Sequence, residues 1–146
     1  MRILILFAHP RPSESIVQSA MLKAIRSLDG ITIRDLYAEY PHFNIDVEKE
    51  QQLLLAHDLV VLQHPVYWYS SPAIMKEWQD LVLEQGFAYG AGGDKLHGKF
   101  MLQAVSTGGP PEFYAANGRN RFELKELFAP FNQTAHLCGM AWLEPF

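Results

Sequence analysis

Apolar and polar positions change period several times along the chain, and each change predicts an element. Ile3 to Ala8 is an unbroken apolar run, the pattern of a parallel strand buried on both faces. Val17, Ala20, Met21, Ala24, Ile25 and Leu28 then recur at helical spacing, so a helix follows and stops before Asp29-Gly30. Ile31, Ile33 and Asp35 face one way and Thr32, Arg34 and Leu36 the other, as in a short strand nearer an edge. A long connection from Tyr37 to Asp46, rich in aromatics and broken by Pro41, leads to a helix over Val47 to Ala56 capped by Asp46. Leu59-Val60-Val61-Leu62 is a second fully buried strand. Ser71 as N-cap and Pro72 at the first helical position start the next helix, with Ile74, Met75, Trp78, Leu81 and Val82 as its apolar stripe. Gly86 to Gly98 contains five glycines and reads as a surface loop. Phe100 to Val105 is a strand. Phe122 to Leu137 is helical with a kink or break at Pro130, and Met140 to Leu143 begins a fifth strand after Gly139.

Strands alternating with helices imply an α/β fold with a parallel sheet, in one domain over residues 1–146. The count exposes a gap. The sequence stops at Phe146 beside the fifth strand, so one sheet face is expected to lack a helix. Either the sequence is a fragment or another chain covers that face.

Composition narrows the function. With 12 Lys and Arg against 16 Asp and Glu, the net charge is -4, without the basic surplus of a nucleic-acid binder. One cysteine, Cys138, excludes an internal disulfide and a four-cysteine zinc site. It fits a reducing compartment, most simply the cytoplasm. His42, His57, His97 and His136 show no metal-ligand spacing, so no metal is expected.

In an open parallel sheet, ligands bind at the C-terminal strand ends. Three such ends carry unusual sequence: His9-Pro10-Arg11-Pro12-Ser13-Glu14-Ser15, His64-Pro65-Val66-Tyr67-Trp68-Tyr69-Ser70, and Ser106-Thr107-Gly108-Gly109. The first enters a helix whose free N–H groups attract an anion. Ser15 serves there either as a plain cap or as a phosphate ligand. The aromatic loop either stacks on a planar ligand or forms a partner surface. The paired glycines allow backbone N–H groups to approach a ligand closely, or simply turn the chain.

Ala8-His9-Pro10, Asp35-Leu36-Tyr37, Gln63-His64-Pro65, Trp68-Tyr69, Pro72-Ala73, Gly86-Phe87-Ala88-Tyr89-Gly90, Leu96-His97-Gly98-Lys99 and Thr107-Gly108-Gly109 together resemble the flavodoxin-like NAD(P)H:quinone oxidoreductases, which include DT-diaphorase. Within that family the chain is most similar to the ancillary flavoproteins of bacterial glutathione-gated potassium efflux systems. The resemblance implies a five-stranded parallel sheet in the order 2-1-3-4-5, here without the family's C-terminal helix. It implies a bound flavin, FMN with FAD as the alternative, and a homodimer with active sites at its interface. By the same resemblance, His9, Ser15, Ile16, Val17 and Gln18 would hold the ribityl-phosphate end. Val66, Tyr67, Trp68 and Tyr69 would line the isoalloxazine, and Ser106, Thr107, Gly108 and Gly109 would meet its pyrimidine side.

Quinone reductases of this family place a Tyr five residues after the second glycine and a His six residues later. Tyr114 matches the first and is the candidate catalytic residue. Position 120 is Asn120, between Arg119 and Arg121, so the family's His is absent. The implied activity is that of an NAD(P)H dehydrogenase (quinone): hydride passes from NADH or NADPH to the flavin, then two electrons reduce a quinone. The competing reading is a flavin-binding regulatory subunit on the cytosolic domain of a potassium efflux protein, placing the chain peripherally at the inner membrane. The two are compatible. A flavodoxin-type electron carrier fits less well, because His9-Pro10-Arg11-Pro12 stands where such carriers have a Thr/Ser-rich phosphate loop.

Overall fold

The computed structural model describes residues 1–146. Five parallel strands, β1 (Ile3–Phe7), β2 (Ile31–Asp35), β3 (Leu59–Pro65), β4 (Phe100–Ser106) and β5 (Ala141–Trp142), pair in the order β2-β1-β3-β4-β5. The helices are α1 (Ile16–Ile25), α2 (Leu36–Glu39), α3 (Val47–Ala56), α4 (Ala73–Val82), α5 (Leu124–Leu127) and α6 (Ala129–Leu137). None is long and apolar enough to cross a membrane.

The register aligns Ile3 with Ile31 and Leu59, and Leu59 with Phe100. Because side chains alternate across a strand, Leu4, Leu6, Val60, Leu62 and Met101 point to one face. There they form the main core with Ile74, Met75, Trp78, Phe128 and Phe131. Ile5, Leu59, Val61 and Ala104 point to the other face, where Met21, Leu22 and Ile25 of α1 pack on them. That second face is only partly covered. An apolar groove of about 390 Å³ runs along it, lined by Ile3, Ile5, Ile31, Val61, Leu102 and Phe146 among others. The under-covered face inferred from the helix count is therefore present.

Four local expectations are corrected. β3 runs on through Gln63, His64 and Pro65, all buried, so His64-Pro65 belongs to the strand and not to the loop after it. A buried polar residue is tolerated when hydrogen-bonded. Here the His64 Nδ1–H donates to the Pro65 carbonyl (2.9 Å) and Nε2 accepts from the Gln103 amide (3.0 Å). Pro72, not Ser71, is the N-cap of α4, which begins at Ala73 without a side-chain cap. The connection after β2 is not all loop, since Asp35 caps the short helix α2 through the Ala38 N–H. The last helical stretch breaks at Phe128; Pro130 sits in the first turn of α6, where its missing N–H does no harm.

α2 is fixed from below by a buried ionic cluster. The fully buried Glu50 of α3 accepts from Arg34 (2.8 Å), the Tyr40 hydroxyl (2.7 Å) and the Trp78 indole N–H (3.0 Å). Arg34 also pairs with Glu39 of α2 at 2.8 Å. Burial, with the Glu50 carboxylate beside it, pushes the Tyr40 phenol up to about 12. The cluster joins β2, α2, α3 and α4 near the strand ends where the unusual loops emerge.

Candidate active site at the carboxyl edge of the sheet

Each loop leaves the end of a central strand, and hydrogen bonds bring them together. The first loop turns through a short 3-10 segment, Pro12–Glu14, into α1. Ser15 caps α1 by accepting from the Gln18 N–H (3.2 Å). Ile16 and Val17, as the opening residues of α1, have N–H groups without an intrahelical acceptor. Both side chains are exposed and apolar, so toward an anion at the helix end it is their backbone N–H groups that can donate.

Gln18 is fully buried. Its Nε2 donates to the Ser106 hydroxyl (3.0 Å), and its Oε1 accepts from Gln63 Nε2 (3.0 Å). A side chain expected at the ligand thus ties α1, β3 and β4 together, acting as a positioning group. The Val66 N–H donates to the Ser106 carbonyl (2.8 Å), which joins the second loop to the third.

His9 is buried, and its Nδ1 accepts from the Arg11 N–H at 3.1 Å. That bond sets the tautomer and leaves the Nε2–H as the ring's free donor. Burial holds its pKa below the ordinary value, against the opposing pull of Glu14. The ring lies over Phe7 and meets Tyr67 edge-on, with centroids 6.2 Å apart.

The second loop is a two-residue turn. Tyr67 and Ser70 exchange N–H···O bonds of 3.0 Å each way, and between them Trp68 (φ 47°) and Tyr69 (φ 66°) are both left-handed. Type I′ turns of this shape normally use Asn and Gly. Two aromatic residues there hold strain of roughly 1–3 kcal/mol each. Trp68 is 92% exposed, and the Tyr69 hydroxyl reaches Asn120 Oδ1 at 3.5 Å.

In the third loop the Thr107 hydroxyl donates to the Gly109 carbonyl (2.8 Å). The N–H groups of Thr107, Gly108 and Gly109 make no backbone hydrogen bond. A Cβ on Gly108 would meet nothing within 4 Å, whereas one on Gly109 would lie 2.6 Å from the Phe113 ring. Glycine at 109 therefore lets the 3-10 turn Pro111–Tyr114 fold over the loop. Tyr69, Gly108, Gly109, Phe113, Tyr114, Arg119 and Asn120 line one cavity of about 190 Å³. Tyr114 thus stands where expected, beside the glycine pair. Phe113 and Arg119 are added by the fold; the sequence marked them only by their closeness to Tyr114 and Asn120. No group of three His, Cys, Asp or Glu side chains is arranged to hold a metal ion.

Loops converge over the carboxyl ends of β1, β3 and β4 of a doubly wound α/β protein, where this class of fold binds ligands. The chain belongs to a family described as having the flavodoxin-like fold, whose model matches residues 1–146. It is 46% identical over 144 residues to the glutathione-regulated potassium-efflux system ancillary protein KefG of Pectobacterium atrosepticum, covering 99% of this chain and 79% of that one. General stress protein 14 of Treponema denticola, solved in complex with FMN, superposes with a TM-score of 0.97 at 40% identity, covering 100% of this chain and 84% of that one. An NADPH-quinone reductase from P. pentosaceus superposes with a TM-score of 0.91 at 35% identity, covering 99% and 83%.

Proposed function

We propose that the chain is a flavin-dependent oxidoreductase that takes hydride from NADH or NADPH and reduces a quinone by two electrons. Overall, NAD(P)H, a proton and the quinone give NAD(P)⁺ and the quinol. The observation carrying this reading is the pair of unused donor sets on either side of the aromatic turn. One is the α1 N-terminus with the His9 Nε2–H; the other is the N–H run of Thr107, Gly108 and Gly109. The residues present suit FMN: a phosphate at a helix N-terminus is a favourable anion site, and the open space above Gly108 admits a flat ring edge.

When bound, FMN supplies the two-electron chemistry. The protein's part is position and electrostatics. His9, Ser15 and the Ile16 and Val17 N–H groups hold the phosphate end, while Gln18 fixes their spacing to Ser106. Val66, Tyr67, Trp68 and Tyr69 flank the ring. The free N–H groups of Thr107 to Gly109 would stabilise the negative charge that a bound flavin gains on reduction, as an oxyanion hole does. The Tyr114 hydroxyl would donate to an oxygen that gains charge on the ring or quinone.

The similarity to KefG supports a second, compatible role as an ancillary subunit of a potassium efflux protein. Trp68 and Tyr69 expose aromatic surface of the kind that an interface covers, and we assign it to a homodimer. The test is a visible spectrum of the purified protein, an FMN titration, and then NAD(P)H titration with a quinone present. Flavin absorbance that NAD(P)H bleaches and quinone restores is the expected result. Failure to take up FMN overturns the reading, whereas tighter binding of FAD changes the cofactor alone. Sedimentation of an active monomer would remove the dimer.

A further inference from the structure

Beside the 190 Å³ cavity lies a second, of about 280 Å³, that shares Tyr69, Arg119 and Asn120 with it and adds Arg121, Phe122 and Leu127. Both arginines are exposed and, like Arg2, Lys23, Arg26 and Lys99, form no ion pair, whereas Arg11, Arg34, Lys49, Lys76, Lys95 and Lys125 do. The nearby Glu123 carboxylate is engaged by Lys125 at 2.7 Å. In a chain of net charge -4 this rim is a local reversal of sign.

The rim is also built. Arg119 lies over the Phe113 ring at 5.6 Å. The Asn120 N–H donates to the Phe113 carbonyl (2.9 Å), and the Arg121 N–H to that of Gly118 (3.2 Å). Arg121 itself is left-handed (φ 64°). Together with Trp68 and Tyr69 it makes three of the four left-handed non-glycine residues in the chain, all lining or adjoining these two cavities. Strain gathered in one place, and held there by hydrogen bonds, points to a ligand-facing role.

We propose that Arg119 and Arg121 form a phosphate-recognising rim for the pyridine dinucleotide donor. The inference rests on the oxidoreductase reading above and assigns its substrate side. The nicotinamide takes the Tyr69 and Tyr114 side of the smaller cavity, leaving the Gly108 backbone to the flavin edge, and a phosphate of the same molecule meets the guanidinium groups in the larger one. Guanidinium suits this task because its planar donor fork matches phosphate oxygens two at a time. The phosphate is either the pyrophosphate common to NADH and NADPH or the 2′-phosphate that only NADPH carries.

The experiment compares the FMN-loaded protein with an Arg119→Gln/Arg121→Gln double variant, using NADH and NADPH in turn. At fixed quinone, KM for the dinucleotide rises at least tenfold and kcat changes by less, and the Arg119→Lys/Arg121→Lys variant recovers part of the loss. A rise confined to NADPH assigns the 2′-phosphate; an equal rise for both assigns the pyrophosphate. In parallel, calorimetric binding of 2′,5′-ADP and of ADP, which requires no hydride transfer, weakens in the double Gln variant. Thermal unfolding at the wild-type midpoint shows that the variant is folded. Unchanged KM for both donors together with unchanged nucleotide binding overturns the rim while leaving the flavoprotein intact. A wild-type protein that takes up FMN but receives no hydride overturns the oxidoreductase reading instead.

Discussion

The two halves of the candidate site are built on opposite plans. Around α1, Gln18, Gln63 and His9 are buried, and Gln18 bonds to both Gln63 and Ser106. Around Tyr69, side chains are exposed, the backbone is left-handed at Trp68, Tyr69 and Arg121, and the tie to Asn120 is a long 3.5 Å contact. Donors fixed before a ligand arrives favour one ligand of set shape and charge. Exposed rings on a rigid turn accept any flat molecule of suitable size. A reaction in which one resident cofactor meets two different substrates in succession needs both plans side by side.

The largest effect concerns what anchors the open half. The aromatic turn hangs from the end of β3, where buried His64 must stay neutral to accept from Gln103. Burial depresses its pKa from 6.5 to about 4. A histidine depressed in the folded state contributes stability above its unfolded pKa and loses it as pH falls toward the folded value. Stability should therefore drop between pH 6.5 and 4, by about 3 kcal/mol if His64 alone titrates over that window. Urea unfolding at several pH values measures this, and His64→Gln should flatten that part of the profile. An unchanged slope in His64→Gln would assign the acid sensitivity elsewhere.

A somewhat smaller effect breaks the buried half. Gln18→Leu keeps the volume but strands the Ser106 hydroxyl and one bond of Gln63. The expected loss of folding stability is about 2 kcal/mol, read by urea unfolding, and FMN binding in a fluorescence titration should weaken as the loop spacing relaxes. Wild-type FMN affinity in this variant would mean that the buried ties do not set the site's geometry. On the open side, Tyr114→Phe removes one hydroxyl donor and leaves the ring packed. Turnover should fall on the order of tenfold, or ~1.4 kcal/mol, with flavin content unchanged. Full quinone reductase activity would remove Tyr114 from the chemistry.

The same contrast explains what could be read from the sequence. The runs Ile3 to Phe7 and Leu59 to Leu62 are legible as strands because burial on both faces erases any period, and the 2-1-3-4-5 order follows from the family resemblance. The end of β3 is not legible. Gln63 and His64 look like the start of a loop because their partners Gln18 and Gln103 lie 45 and 39 residues away in sequence. Gln18 enters through the family resemblance alone, and its inward-turned side chain is not legible because its partners Gln63 and Ser106 are distant in sequence. Four-residue α2 is too short to show a helical period. The closeness of Gly108, Gly109 and Tyr114 is legible because their spacing is local. Arg119 and Arg121 stand out in the sequence only as neighbours of Asn120; a loop folded back on Phe113 brings them to the two adjoining cavities.

The smallest effect tests whether strain in the aromatic turn serves the ligand. Trp68 and Tyr69 occupy the two central positions of a type I′ turn, which Asn and Gly fill most easily. Trp68→Asn with Tyr69→Gly should relieve left-handed strain while giving up little burial, because Trp68 is almost fully exposed. Against the strain relief stand the lost Tyr69 contact with Asn120 and the greater freedom of glycine in the unfolded chain. The balance favours the variant by about 1 kcal/mol, seen as a higher urea midpoint at pH 7. Hydride transfer should become slower at the same time, because the rings proposed to flank the flavin are gone. A variant that gains stability and keeps full activity would show that the turn is strained without catalytic purpose. One that loses stability would show that these rings already pack against something in the folded protein, such as a second copy across a dimer interface.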